Sequence, residues 1–95
     1  MKSIIQFEQE CYVCHCKEPL HEHHILEGTA NRKKSEKWGL KVWLCPKHHN
    51  MSSEGVHSNK VLELELKRKA QTTFELLYGH EVWMQEFGRN YLDVL

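Results

Sequence analysis

The sequence predicts a small α+β domain organised round metal ligands, and three observations carry that expectation. Cys11-Tyr12-Val13-Cys14 and Cys45-Pro46-Lys47-His48 are two ligand pairs, each with two intervening residues, which together make one tetrahedral zinc set. Leu40-Lys41-Val42-Trp43-Leu44 alternates and then runs apolar into the second pair, as a short strand does. Leu62, Leu66, Ala70, Phe74 and Leu77 or Tyr78 recur at helical spacing and form an apolar stripe.

The N-terminal stretch 4–14 carries the first cysteine pair in a knuckle turn. Leu20 to Leu26 reads as a short strand or loop that presents His23 and His24. Gly28 to Gly39 is polar and basic, and reads as a loop with a helical turn. Pro46 suits the first position of a helix, which puts His48 and His49 on its first turn, with Ser52-Ser53-Glu54-Gly55 ending it. Further on, Ser58 or Asn59 caps a long helix that stops at Gly79. A second helix over His80 to Phe87 buries Val82, Trp83 and Phe87 and stops at Gly88. No repeat or low-complexity tract interrupts the chain, so one domain over 1–95 is expected, its metal-bearing core at about 10–57 and its helices at about 59–88.

A chain of 95 residues buries a limited core and profits from a staple. Cys11, Cys14 and Cys16 lie too close together for good disulfide geometry. The stretch Met1 to Phe7 lacks the long apolar run of a secretory signal, and no run approaches a membrane span. Zinc-bound thiolates in a reduced intracellular protein are therefore expected. Cys11, Cys14, Cys45 and His48 are the structural zinc set, with Cys16 as the alternative to Cys14. His21 reads as a surface histidine.

The formal net charge is zero, but its distribution is uneven. Between Asn31 and Lys47, six cations stand against Glu36 alone, while both flanks are acidic. Such a stretch is either a solvated loop or a phosphate-contacting surface.

Eight histidines are present, and the zinc set uses one of them. His49 lies on a different side of its helix from His48, and His23 and His24 point to opposite faces if extended. One of that pair can bind a metal with His49 while the other accepts a proton, which is the layout of metal-assisted hydrolysis.

Glu22-His23-His24-Ile25 followed by Leu44-Cys45-Pro46-Lys47-His48-His49 resembles the HNH (His-Me finger) endonucleases. Gly28-Thr29-Ala30-Asn31-Arg32, Ser35 to Leu40 and Gly55-Val56-His57 extend the resemblance to the small bacteriophage and prophage members of that family, over about Cys11 to Leu92. The resemblance implies a ββα-metal fold. It implies that His23, His49 and His57 bind a catalytic divalent ion such as Mg2+ or Mn2+, and that His24 is the general base. It implies hydrolysis of DNA phosphodiester bonds to 5′-phosphate and 3′-hydroxyl ends in the cytoplasm of a bacterial host, with Arg32, Lys33, Lys34 and Lys37 as candidate phosphate contacts and a phage protein as a further partner. The sequence departs from the family at 39–43, Gly-Leu-Lys-Val-Trp, where the asparagine that braces the base usually stands; Asn31 and Asn50 are the nearest. A zinc module that binds DNA or protein without catalysis is the rival expectation. A metal-storage or metal-sensing protein is a more distant third.

Overall fold

The computed structural model describes residues 2–50 and 55–92. In chain order its elements are β1 (His21–His24), α1 (Thr29–Trp38), β2 (Lys41–Leu44), α2 (Pro46–His49), α3 (Lys60–Tyr78) and α4 (His80–Phe87). The class is α+β: an antiparallel hairpin, a one-turn helix, then two C-terminal helices.

β1 pairs with β2 in the register His21↔Leu44, Glu22↔Trp43, His23↔Val42 and His24↔Lys41. Directly opposed residues share a face, and successive residues alternate between faces. One face therefore carries His21, His23, Val42 and Leu44, and the other Glu22, His24, Lys41 and Trp43. Val42 and Leu44 are buried, and His23 goes in with them, left 4% exposed. The alternation of the strand thus separates the two adjacent histidines.

The N-terminal segment covers the outer edge of β2. The Ile4 N–H donates to the Gly39 carbonyl at 2.9 Å, the Gln6 side-chain carbonyl accepts from the Trp43 N–H at 2.8 Å, and the Tyr12 N–H donates to the Trp43 carbonyl at 2.8 Å. These bonds satisfy backbone groups that an open edge would leave free. Gly39 permits the approach: its φ is +71°, and a Cβ there would stand 2.3 Å from the Lys2 carbonyl oxygen.

The segment expected as a loop with a helical turn, Gly28 to Gly39, contains a ten-residue helix, α1. Its polar, basic sequence carries no apolar stripe, so periodicity did not reveal it. It is anchored instead by polar contacts and by one aromatic side chain, Trp38, packed on Phe74 and Tyr78. The Trp38 indole N–H donates to Glu86 on α4 at 2.6 Å, Lys34 donates to the Glu86 carbonyl, and the buried Ser35 hydroxyl accepts from the Leu26 N–H at 3.1 Å.

α2 begins at Pro46, with Cys45 extended ahead of it, and ends at His49 with Asn50 as its C-cap. The expected stop over Ser52-Ser53-Glu54 lies outside the described residues. Asn59 caps α3, its side chain accepting from the Val61 and Leu62 N–H groups at 3.1 Å each. Leu66, Ala70 and Phe74 are buried and Leu62 is partly so; of the two residues that could end the stripe, Leu77 is exposed and Tyr78 continues it. Tyr78 packs its ring at 4.9 Å from Trp38 and 4.9 Å from Phe74. Gly79 ends α3 and starts α4, which buries Trp83, half-buries Val82 and Phe87, and stops at Gly88 in the left-handed conformation.

Buried polar groups in this helical layer are matched. Gln71 donates to Glu75 at 2.7 Å and Asn90 at 2.8 Å and accepts from the Tyr91 N–H at 2.7 Å, and the Trp83 indole donates to the Arg89 carbonyl at 2.7 Å. Among the described residues, no helix is long and apolar enough to cross a membrane.

Phe74 contacts Trp38, Tyr78, Trp83 and Phe87 and joins α1 to both C-terminal helices. Phe74→Ala is expected to destabilise the fold by about 3–5 kcal/mol, read as a lower urea midpoint with zinc content unchanged.

Candidate metal centres

Cys11, Cys14, Cys45 and His48 bring one donor atom each within 4.8 Å of one another. The Cys14 and Cys45 sulfurs are 3.7 Å apart, and His48 Nδ1 lies 3.7 Å from Cys11 Sγ and 3.2 Å from Cys45 Sγ. Tetrahedral zinc, with bonds of about 2.3 Å to sulfur and about 2.0 Å to nitrogen, needs edges of about 3.8 Å and 3.6 Å. The donor set thus fits a zinc ion in size and chemistry. Local backbone explains the convergence. The Cys11 N–H donates to the Cys16 carbonyl and the His15 N–H to the Cys11 carbonyl, both at 2.9 Å, which closes the knuckle turn. His48 follows Cys45 by one helical turn, its N–H donating to the Cys45 carbonyl at 3.0 Å.

Burial would raise the Cys11 thiol, but backbone N–H groups of Cys14, Cys45 and Val13 outweigh it and lower the pKa to about 6, which favours the thiolate a metal requires. Cys16 is pushed up to about 12, by burial and by hydrogen bonds with Cys14 and Cys45. Of the two candidates, Cys14 joins the four-donor group and Cys16 remains a thiol beside it.

His23, His49 and His57 form a second group whose donor atoms lie within 4.8 Å. His49 Nε2 and His57 Nε2 are 3.3 Å apart, and the His23 ring centroid lies 5.3 Å from that of His49 and 5.5 Å from that of His57. Two imidazoles on one tetrahedral ion place their nitrogens about 3.4 Å apart. His23 comes from the buried face of β1, His49 from α2, and His57 from the return strap behind α2. That strap is clamped by the Val56 N–H on the His48 carbonyl at 2.8 Å and the His57 N–H on the His49 carbonyl at 3.4 Å. Gly55 lets it approach, since a Cβ there would meet the His49 carbonyl oxygen at 3.0 Å.

Burial, reinforced by His49, His57 and His24, lowers the His23 pKa to about 4. Burial first, then His57 and His21, lowers that of His49. Both imidazoles are thereby favoured in the neutral form that offers a lone pair.

His24 lies on the opposite face of β1. Its Nε2 is 3.0 Å from Glu36 Oε2, and Lys41 Nζ holds the same carboxylate at 2.8 Å and Glu22 at 3.4 Å. The Lys41 hydrogen bond and then that of His24 depress the Glu36 pKa to about 2. Burial opposes the Lys41 charge, but the Glu36 hydrogen bond and the fields of Glu22 and Glu36 outweigh it and raise its pKa. Glu22, His24 and Glu36 also lie within 4.8 Å of one another. An ammonium already bridges the two carboxylates, so this is an ion-pair cluster.

A cleft of about 780 Å³ opens between these groups, lined by His23, His49 and His57, by His24, and by Arg32 and Lys33 from α1. Lys34 and Lys37 turn away from it. Lys34 lies 5.9 Å over the Phe87 ring, and Lys37 lies 5.0 Å over the Trp38 ring and 3.7 Å from Glu86. The four cations therefore divide into two that face the cleft and two that dock α1 on α4.

Two residues of the site escaped the sequence reading. His21, expected as a surface histidine, is half-buried with Nδ1 2.9 Å from His49 Nδ1. Its signal was the spacing His21-x-His23, which puts both on one face of a strand. Glu36 had no signal, because its contact with His24 depends on a helix that periodicity did not reveal. Asn50 caps α2 and Asn31 lies on α1, while the contact to His24 comes from Glu36.

No protein-family model, no curated protein and no solved structure matches this chain. The donor geometry supports metal binding at two places, one set of three cysteines with a histidine and one set of three histidines.

Cys14→Ser is expected to reduce bound zinc well below one ion per chain and to lose helical far-UV CD, because metal binding and folding are coupled. Cys16→Ser is expected to retain both, read by elemental analysis after gel filtration.

Proposed function

We propose that this chain is a metal-dependent HNH endonuclease that hydrolyses DNA phosphodiester bonds, with Cys11, Cys14, Cys45 and His48 holding a structural zinc. The observation that carries this reading is the shared cleft. The three clustered histidines, a further imidazole and two cations line one cavity, which is the set that phosphodiester hydrolysis needs.

In this reading His23, His49 and His57 would hold a divalent ion, and three neutral imidazoles suit a transition ion such as Mn2+ or Zn2+ better than Mg2+, which prefers oxygen ligands. When bound, that ion stabilises negative charge on the phosphoryl and leaving oxygens. Arg32 and Lys33 hold the phosphate backbone, and their neutralisation of phosphates supplies affinity without reading sequence. His24 takes the proton from a water molecule, which attacks phosphorus in line as the bond to the 3′ oxygen breaks. That oxygen leaves as an alkoxide and is protonated by solvent, to which His24 in turn releases its proton. Glu36 accepts the His24 Nε2–H, leaves Nδ1 as the basic nitrogen, and stabilises the imidazolium that forms, as a carboxylate partner of a catalytic histidine does. Glu36 thereby performs the bracing that the family assigns to its missing asparagine.

The rival reading, a zinc module that binds DNA or protein without cutting, draws on one observation: Glu22, Glu27 and Glu36 also line the cleft and offset its cations. It predicts no metal-stimulated cleavage.

Plasmid nicking should depend on an added divalent ion, with Mn2+ more effective than Mg2+, and stop in excess chelator under conditions that leave the zinc in place. His24→Ala should lower the rate about 10²–10⁴-fold with folding intact; a wild-type rate in that variant would sink the role of the base. Glu36→Gln should lower kcat with little change in KM. Arg32→Ala and Lys33→Ala should each weaken DNA binding and reduce the slope of log affinity against log salt by about one. Lys34→Ala and Lys37→Ala should leave that slope nearly unchanged and lower thermal stability instead.

A further inference from the structure

His49 is engaged through both ring nitrogens. Nε2 lies 3.3 Å from His57 Nε2, and Nδ1 lies 2.9 Å from His21 Nδ1. A nitrogen that binds a metal must offer its lone pair, so a neutral ligand imidazole carries its proton on the other nitrogen. The nitrogen of His49 that joins His57 is Nε2, so its proton belongs on Nδ1, where His21 Nδ1 is within hydrogen-bond reach.

We propose that His21 is a positioning residue for the His23, His49 and His57 metal centre, accepting the Nδ1–H of His49 and so fixing both the tautomer and the ring orientation of that ligand. The opposite proton order, with His21 donating to His49 Nδ1, puts the remaining His49 proton on Nε2 and blocks the nitrogen that faces the site. Binding of an ion therefore selects the order in which His21 accepts, and His21 carries its own proton on Nε2. His21 is not a fourth ligand. It meets His49 through the nitrogen that does not join His57, and it stands outside the group of donor atoms that lie within 4.8 Å of one another.

The fold explains why this residue reaches this ligand. His21 and His23 occupy the same face of β1, two residues apart. The register partner of His21 is Leu44, the residue before Cys45, where the chain turns into α2. The start of β1 thus stands beside the start of the helix that carries His49, with ring centroids 5.1 Å apart in an edge-on arrangement. Ligand histidines regularly donate their second N–H to a fixed acceptor, and removal of that acceptor costs about 10–100-fold in metal affinity.

This inference rests on the reading of His23, His49 and His57 as metal ligands, and does not require DNA hydrolysis. The test is a Co2+ titration of the zinc-loaded protein and of two variants of similar side-chain size, His21→Gln, which keeps an acceptor, and His21→Leu, which does not. Visible absorption reports cobalt at imidazoles, and thiolate-to-metal charge transfer reports any cobalt that displaces zinc, so the two centres are read separately. His21→Leu should bind Co2+ at the imidazole site about 10–100-fold more weakly than wild type, His21→Gln should recover most of that loss, and zinc should stay at one ion per chain in both. Wild-type affinity in His21→Leu overturns the proposal, as does equal weakening in the two variants. Loss of zinc and of helical CD in both makes His21 a scaffold residue and overturns it as well. A wild-type protein that takes up no second ion removes the ligand reading and this proposal with it, whereas a wild-type protein that binds Co2+ but cuts no DNA removes only the nuclease reading.

Discussion

Cys11, Cys14, Cys45 and His48 converge from the N-terminal knuckle and the start of α2, and the short elements between them are arranged round that point. The hairpin is only four residues long on each side, and α2 is a single turn. Neither is stable alone in water. A zinc ion at that point would tie the knuckle to the start of α2 and close the loop that contains β1, α1 and β2. Its binding free energy would then be folding free energy.

From that anchor the placement of the second group follows by short steps. His48 and His49 are neighbours on one helical turn, about 100° apart in direction. With His48 held in the cysteine cluster, His49 must point elsewhere, and it points to the buried face of β1, where His21 and His23 stand. The strap at Val56 and His57 then completes the group through backbone bonds to the carbonyls of the same two histidines. Two candidate donor groups thus draw on one turn of helix, His48 in one and His49 in the other.

Charge in the cleft is arranged to keep groups in defined protonation states. Burial lowers the His23 pKa and favours its neutral form, while the other face of the strand pair holds Lys41, Glu22 and His24 with Glu36 in one ion-pair cluster. Lys41 is only 8% exposed and is kept charged by two carboxylates. An unpaired ammonium at that depth would be costly. Glu36 therefore both neutralises Lys41 and orients His24, which explains its depressed pKa and couples the scaffold to the proposed base.

The α+β class, the two ligand pairs, the strand ending at Leu44, a helix cap at Ser58 or Asn59 and the stops at Gly79 and Gly88 were legible in the sequence, which also placed one of His23 and His24 with His49; the family resemblance pointed to His23. These are local features: spacing selects tetrahedral ligands, alternation selects a strand, and a polar cap or a glycine marks a helix end. That Gly28 to Gly39 holds a helix emerges only on docking, because α1 is held by polar contacts to α4 and by the single Trp38 ring against Phe74 and Tyr78, and carries no apolar stripe to read. The tertiary structure also decided which cations face the cleft, because Lys34 and Lys37 meet Phe87 and Glu86 of α4 while Arg32 and Lys33 line the cavity. The partners His21 of His49 and Glu36 of His24 are 28 and 12 residues away from them in sequence. Such contacts arise where separate elements dock, and no local pattern encodes them.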